Sequence, residues 1–346
     1  MKRLPHVLVF RFSAMGDVAM LAPVLRRLFH QNPKIQVTLV TRPFFAPIFS
    51  EFPHLQIITP DFKNTHKGVR GLWKLFIALK KLHPTAVADL HAVLRTHLLR
   101  FFFRLHGYRV RKINKGRAAK RRLTRAKNKI FAPLQSTPYR YAEVFSKLGF
   151  DIDLTVSEHI DPLPLSESIS QSLPPKDRSW IGIAPFAAHP GKVYPLDLMQ
   201  KVIAYLQQEH CVFLFGGGVS EAQQCELWEK AFPGVTSTAN RFSLENELAI
   251  ISNLNLMLSM DSANAHLATN FNIPVVTLWG QTHPFAGFAP FGQPASFALT
   301  ADRTLYPKLP TSVYGSHIPK GYESAMRSMD PKHIIARILV ILSKNA

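Results

Sequence analysis

Only two cysteines, Cys211 and Cys225, occur in 346 residues, and each falls inside an apolar strand or helix pattern. That excludes a disulfide framework and a cysteine-ligated zinc site, and it suits a reducing cytosol. Long apolar runs are missing too; none approaches the roughly 18–20 residues of a membrane span. Met1-Lys2-Arg3 followed by Val7–Phe10 imitates a signal peptide, but the apolar stretch is short and is broken by Arg11 and then Asp17. The mature chain is therefore expected to begin at Met1 and to stay inside the cell. His83, His91, His97 and His106 lack metal-ligand spacing, so no metal site is expected. The dinucleotide glycine fingerprint is broken, because Glu221 stands where the run from Gly216-Gly217-Gly218 requires its last glycine. This disfavours a nicotinamide oxidoreductase.

Acidic residues are scarce as well. Forty-two Lys+Arg against 22 Asp+Glu leave a net charge of +20. Such an excess points to polyanionic company: nucleic acid, an anionic membrane face or a phosphorylated substrate. From Leu90 to Ala142 there is no Asp or Glu, and Arg100–Lys129 holds thirteen Lys/Arg. Two readings fit this stretch. It is a solvated basic face beside ordinary core aromatics (Phe101-Phe102-Phe103), or a patch for anionic lipid headgroups or a phosphorylated acceptor. Gly16, Arg95, Lys120, Arg121 and Arg122 are the candidates for such a patch. No nucleic-acid fold signature accompanies it, so nucleic acid is not an expected partner.

What is present is globular: 47 % hydrophobic and 18 % charged residues, in a chain long enough for two domains. Strand and helix patterns alternate. Val7–Phe12, Ile35–Thr41, Leu55–Thr59 and Ala86–Leu90 read as strands. Val18–Phe29, Phe44–Phe52, Val69–Leu82, Leu94–Leu105 and Tyr139–Leu148 read as helices, with Pro23 marking a kink or a later start in the first. After a Pro- and Ser-rich connection at Asp151–Arg178 the alternation resumes. Trp180–Ala184, Cys211–Phe215, Leu254–Ser259 and Val275–Trp279 are strands; Pro195–Gln207, Glu221–Ala231 and Leu244–Ile251 are helices. This predicts an α/β protein of two Rossmann-like domains facing a central cleft, with parallel sheets covered on both faces. The first domain is expected over 1–165 and the second over 176–325. A last helix within 326–346 is expected to pack back on the N-terminal domain.

Three loops of the second half lie at strand carboxyl ends, where open α/β sheets bind ligands. Pro185–Lys192 follows one strand and offers Lys192 to a phosphate. Gly216-Gly217-Gly218 lets backbone approach a ligand, and Glu221 beyond it suits a ribose diol or simply a helix dipole. Asp261-Ser262-Ala263-Asn264-Ala265-His266 spans a strand-to-helix turn. Asp261 and His266 are then either a cap and an ordinary helix histidine, or ligands of an anion at the helix start. In the first half Asp17 follows strand one and is a candidate general base, with an N-cap as its alternative role.

Together these residues resemble glycosyltransferase family 9, the ADP-heptose:lipopolysaccharide heptosyltransferases. Arg11-Phe12-Ser13-Ala14-Met15-Gly16-Asp17-Val18 is similar to the family's opening R-x-S-x-x-G-D-V. Asp261-Ser262-Ala263-Asn264-Ala265-His266-Leu267-Ala268 resembles its D-[ST]-G-x-x-H-x-A, with Ala263 in place of the usual glycine. Phe215-Gly216-Gly217 with Glu221, and Gly280-Gln281-Thr282-His283-Pro284, fall in the expected order. The resemblance implies a GT-B fold and an inverting, metal-independent transfer of heptose from ADP-heptose to the lipid A–Kdo inner core of lipopolysaccharide. It implies Asp17 as catalytic base and Lys192, Glu221, Asp261, Ser262, Ala263 and His266 as donor-binding residues. The ADP-sugar is then a co-substrate with no further cofactor, and a phosphorylated glycolipid acceptor and the anionic cytoplasmic face of the inner membrane are the partners. Oligomeric state is not specified by these residues. The competing readings are a glycosyltransferase with another nucleotide-sugar donor and a non-catalytic polyanion-binding protein on the same fold.

Overall fold

In His6-Val7-Leu8-Val9-Phe10 the last four residues are at 0 % exposure, so inside and outside do not alternate. Such a run belongs in the middle of a parallel sheet covered on both faces. The computed structural model, which describes residues 4–156, 158 and 160–345, places it there as β1 (His6–Phe10). The chain continues through α1 (Met15–Ala19), α2 (Ala22–Gln31), β2 (Gln36–Val40), β3 (Gln56–Ile58), α3 (Gly68–Lys80), β4 (Ala86–Asp89), α4 (Leu94–Leu105) and β5 (Arg109–Lys112). The five strands are parallel in the order β3-β2-β1-β4-β5. Leu72, Leu75, Phe76 and Leu79 of α3 pack with Leu99 and Phe103 of α4 on Leu8 and Phe10. The expected first helix is two, broken at Met20-Leu21, and Pro23 lies in the first turn of α2, where its missing N–H goes unused.

Beyond β5 come α5 (Arg117–Thr124) and α6 (Thr137–Ser146). The chain forms two units: Met1–Lys115 with Thr137–Ser157, and Gly116–Ser136 with Glu158–Ala346. The middle of the basic stretch thus lies in the second unit, although the sequence pattern suggested an unbroken first domain over 1–165. The cause is a set of contacts between residues far apart in sequence. Lys120 Nζ sits 3.7 Å above the Phe288 ring, and the Arg303 guanidinium 3.5 Å above Phe131. Lys129 Nζ donates to the carbonyl of Lys308 at 2.8 Å.

The second unit continues with α7 (Glu167–Ser172), β6 (Trp180–Ala184), α8 (Leu196–Leu206), β7 (Cys211–Leu214), α9 (Val219–Ala231), β8 (Val235–Ser237), α10 (Leu244–Ser252), β9 (Leu256–Met260), α11 (Ala263–Thr269), β10 (Val275–Trp279), β11 (Ala298–Thr300) and α12 (Pro331–Asn345). Its six strands are parallel in the order β11-β10-β9-β6-β7-β8. Ile334, Ile338 and Ile341 of α12 share a buried cluster with Met199, Val202, Ile203 and Leu206 of α8. Tyr194 anchors the approach to α12, its hydroxyl donating to the Met329 carbonyl at 2.6 Å. The buried stripe of α12 therefore completes the core of the second unit.

In each sheet the strand order reverses once, between β1 and β4 and between β6 and β9. Loops leaving two such neighbours diverge, which opens a crevice at their carboxyl ends. Beside the first reversal Asp89 is fully buried. One carboxylate oxygen accepts the N–H groups of His91 (3.0 Å) and Ala92 (2.8 Å), and the other faces Arg100 Nε at 2.9 Å. Asp89→Ala should cost about 3–5 kcal/mol, because it leaves the buried Arg100 charge alone. Adding Arg100→Leu should recover part of that loss in urea unfolding, and equal destabilisation by the single and double variants would contradict the pairing.

Candidate functional site

The first polar cluster grows from the end of β1. Arg11 is 4 % exposed, and its guanidinium donates to the Leu90 carbonyl, just beyond β4, at 2.7 Å. The same guanidinium forms an ion pair with Asp17, in the first turn of α1. Tyr141 of α6, fully buried, lies beside Arg11 and donates its hydroxyl to the Asp17 carbonyl oxygen at 2.9 Å. Asp17 is thus held by its side chain through Arg11 and by its main chain through Tyr141. Its carboxylate remains 32 % exposed and open to a ligand. His91 stands next to this cluster, its Nε2 3.5 Å from Ser13 Oγ and its ring edge-on to Phe12. Burial, with Arg11, Lys115, Arg42 and Arg95 around it, pushes His91 down to about 3.

The second cluster stands at the β6/β9 reversal. Lys192 ends a short 3-10 turn after β6, and Asp261 is the first residue after β9. Lys192 Nζ lies 2.8 Å from Asp261 Oδ2 and 3.2 Å from the Asp261 carbonyl oxygen, with the two side chains 14 % and 5 % exposed. The Lys192 loop is fixed from behind. Gly191 N–H donates to the Gly315 carbonyl (3.1 Å), and the Gly191 carbonyl accepts the Gln281 N–H (2.8 Å). A Cβ at Gly191 would sit 2.6 Å from the Gly315 oxygen, so glycine is required there. Gln281 in turn bonds Thr311 and the Tyr322 carbonyl, which ties the loop after β10 to the same place.

Ser262 is the N-cap of α11, but its hydroxyl pairs with Ser259 (3.1 Å) and makes no capping bond. Ala263 opens α11 with an ordinary right-handed backbone, so the family's glycine is not demanded by φ at this position. His266 lies a turn further on and is buried. Glu221 is in the first turn of α9, and its Oε2 accepts the Gly217 N–H at 2.7 Å, closing the glycine loop after β7. Gly218 has φ +93°, which a larger residue would adopt only under strain. Phe186, in the loop after β6, lies against Gly216, and its ring stacks over Trp228. The expected donor residues therefore occupy the carboxyl ends of three adjacent strands, β9, β6 and β7.

The expected basic patch is divided. Gly16 and Arg95 belong to the first unit, Lys120, Arg121 and Arg122 to the second. Arg95 is exposed and stacks 5.0 Å from the Phe62 ring centre; Arg121 and Arg122 are exposed. Lys120 is not on a solvated face, being only 7 % exposed under its Phe288 contact. Arg11, Tyr141 and Gln281 do not stand out in the sequence as site residues. Arg11 lies inside the opening family-like motif and Gln281 in the Gly280–Pro284 stretch that falls in the expected order, which is the available signal; Tyr141 reads as a plain core aromatic.

Two histidines set an acid limit on stability. His91 is pushed down to about 3 and His283 to about 4, each chiefly by burial and then by nearby cations, against an ordinary value of 6.5. Between these values the unfolded chain binds protons that the folded chain does not, so stability falls as pH drops from 6.5 toward 4. His91→Gln should unfold less steeply with acidification over that window, as read by thermal melts at pH 7 and pH 5. Identical pH slopes for variant and wild type would contradict the assignment.

The family model described as "Glycosyltransferase family 9 (heptosyltransferase)" matches residues 76–309. The lipopolysaccharide core heptosyltransferase OpsX of Haemophilus influenzae is 24 % identical over 292 residues, covering 80 % of this chain and 79 % of that protein. A glycosyl transferase family 9 structure from Veillonella parvula superposes with TM-score 0.76 at 17 % identity, over 99 % of both chains. The E. coli heptosyltransferase WaaC, solved with ADP, superposes with TM-score 0.64 at 18 % identity, again over 99 % of both. These structures share the GT-B class of fold expected from the sequence. With more than half of its length matched, the chain belongs to glycosyltransferase family 9, the heptosyltransferases.

Proposed function

We propose that this chain transfers heptose from ADP-heptose to the lipid A–Kdo inner core of a lipopolysaccharide. The transfer inverts the anomeric centre and uses no metal and no cofactor beyond the ADP-sugar; it takes place at the cytoplasmic face of the inner membrane. The observation that carries this reading is the buried Lys192–Asp261 pair at the β6/β9 reversal, with Glu221 nearby after β7. An ammonium has three donors. One is given to the Asp261 carbonyl oxygen, while the charge as a whole is paired with the Asp261 carboxylate, which leaves N–H donors for a diphosphate oxygen. From β9 to β7 is two strand spacings, about 10 Å, a span that a ribosyl diphosphate bridges. Glu221 Oε2 is engaged by the Gly217 N–H, so Oε1 is the oxygen that accepts from ribose hydroxyls.

The chemistry divides between the two clusters. Asp17 takes the proton of the acceptor hydroxyl, and the oxygen so freed forms a bond to the heptose anomeric carbon. The bond from that carbon to the diphosphate breaks on the opposite side, its electron pair leaving with ADP. A single displacement of this kind inverts the centre. Lys192 meets the charge that grows on the leaving diphosphate, which is transition-state stabilisation by a preplaced cation. Arg11 and Tyr141 fix the orientation of the base without taking part in the transfer.

Asp17→Asn should lower kcat by about 10²–10⁴-fold, the worth of a general base, while ADP-heptose affinity stays near wild type. Unchanged turnover would remove Asp17 from the proton transfer. Addition of EDTA should leave turnover unchanged; loss of activity restored by a divalent ion would contradict the metal-independent step. In a thermal-shift screen ADP-heptose should raise the melting temperature more than UDP- or GDP-sugars do, and a larger shift with another nucleotide-sugar would reassign the donor.

A further inference from the structure

On α3, Val69, Trp73 and Ile77, each four residues from the next, are 59 %, 40 % and 37 % exposed. On α4, Leu94, Phe101 and Leu105 are 77 %, 60 % and 69 % exposed, and the half-buried Leu98 completes their helical spacing. Outward positions of a surface helix are ordinarily polar. The two stripes meet through aromatic rings: Trp73 lies edge-on to Phe102 at 5.1 Å between centroids, and Phe101 is 6.0 Å from Phe102. The result is one continuous apolar face on the first unit, of the kind that marks a partner surface.

Charge identifies the partner. Between Phe62 and Ala142 the only carboxylate is Asp89, and it is fully buried against Arg100. The exposed charged residues along these helices are cations: Arg70, Lys74 and Lys81 beside the α3 stripe, and Arg95 and Arg104 beside that of α4. Leucine and aromatic rings rimmed by Lys and Arg match the headgroup–acyl boundary of an anionic bilayer, where the rings enter and the cations meet phosphates. A second copy of the chain is disfavoured, since it would bring +20 against +20. Helix α5 offers no such face; its outward residues are mainly arginines, and its Leu123 is buried.

We propose that the outer face of α3 and α4 is the surface by which this protein lies on anionic phospholipid. The proposal rests on the glycolipid-acceptor reading and moves the lipid contact away from Lys120-Arg121-Arg122. Trp73 supplies the probe, because it alone of the four tryptophans is exposed; Trp180, Trp228 and Trp279 are at 3 %, 2 % and 1 %.

With the full chain and phosphatidylcholine vesicles containing phosphatidylglycerol, Trp73 emission should shift to the blue and be quenched by brominated acyl chains, and Trp73→Phe should abolish both changes. Phe101→Asp/Leu105→Asp should lower the vesicle-bound fraction in flotation by about tenfold or more. Arg70→Glu/Lys74→Glu should restrict binding to low salt, whereas Arg121→Glu/Arg122→Glu should float as wild type does. ADP-heptose affinity should be unchanged in all of them, so a failed donor assignment and a failed lipid surface give different results. The proposal is overturned if Phe101→Asp/Leu105→Asp floats like wild type, or if Arg121→Glu/Arg122→Glu alone abolishes binding. It is equally overturned if vesicles of pure phosphatidylcholine bind as well, or if light scattering shows a dimer that Phe101→Asp/Leu105→Asp splits.

Discussion

An ammonium and a carboxylate 2.8 Å apart, both largely withdrawn from water, stand where the strand order of the second sheet reverses. Neither charge tolerates that position alone, since breaking a buried pair strands the other ion. The neighbouring loops are fitted to it. Gly191 has no room for a side chain, Gln281 fastens the loop after β10 to the Gly191 carbonyl, and Asp261 presents both its carboxylate and its main-chain oxygen to Lys192. The result is a cation with fixed position and limited hydration. A preplaced charge of this kind does more for a leaving diphosphate than a mobile surface lysine, because little reorganisation remains when the bond breaks.

The first unit repeats the device with the opposite sign outermost. Arg11 is buried and anchored to the Leu90 carbonyl across the β1/β4 reversal, and it holds the partly exposed Asp17. In both sheets the more buried member of the pair fixes the more accessible one; Lys192 and Asp261 follow the two strands flanking their reversal, and in the first sheet the contact of Arg11 with the Leu90 carbonyl joins the flanking strands. A parallel sheet covered on both faces has little other accessible backbone. Polar side chains open to a ligand therefore gather at the strand ends, an anion in the first unit and a cation in the second.

Most of the sheet strands were legible as short apolar runs, because residues buried on both faces leave no alternation to misread. β5, α5 and the short strands β8 and β11 are not legible in this way, and for the first two the physical reason is plain. β5, Arg109-Val110-Arg111-Lys112, is an edge strand that buries only Val110, so it reads as charge. α5, Arg117–Thr124, is dominated by arginine and lysine and takes its place through the Lys120–Phe288 contact, about which local sequence says nothing. For the same reason the basic stretch looks continuous in sequence yet belongs to two units. Asp17, Lys192 and Asp261 stood out because polar residues at the ends of apolar strands are conspicuous. Their partners Arg11 and Tyr141 did not, since an arginine after a strand and a tyrosine in a helix are common in any core. Ala263 shows the converse: it departs from the family pattern, but the helical backbone at that position accepts alanine without strain.

The central claim is that Lys192, held by Asp261, meets the diphosphate of the donor. Calorimetric titration of ADP and of adenosine into wild type and Lys192→Ala tests it most directly. Loss of a charged hydrogen bond of about 1.5–3 kcal/mol predicts ADP binding weakened by roughly 10- to 100-fold, with adenosine affinity unchanged. Equal ADP affinity in the two proteins, or an equal loss for ADP and adenosine, would contradict the assignment.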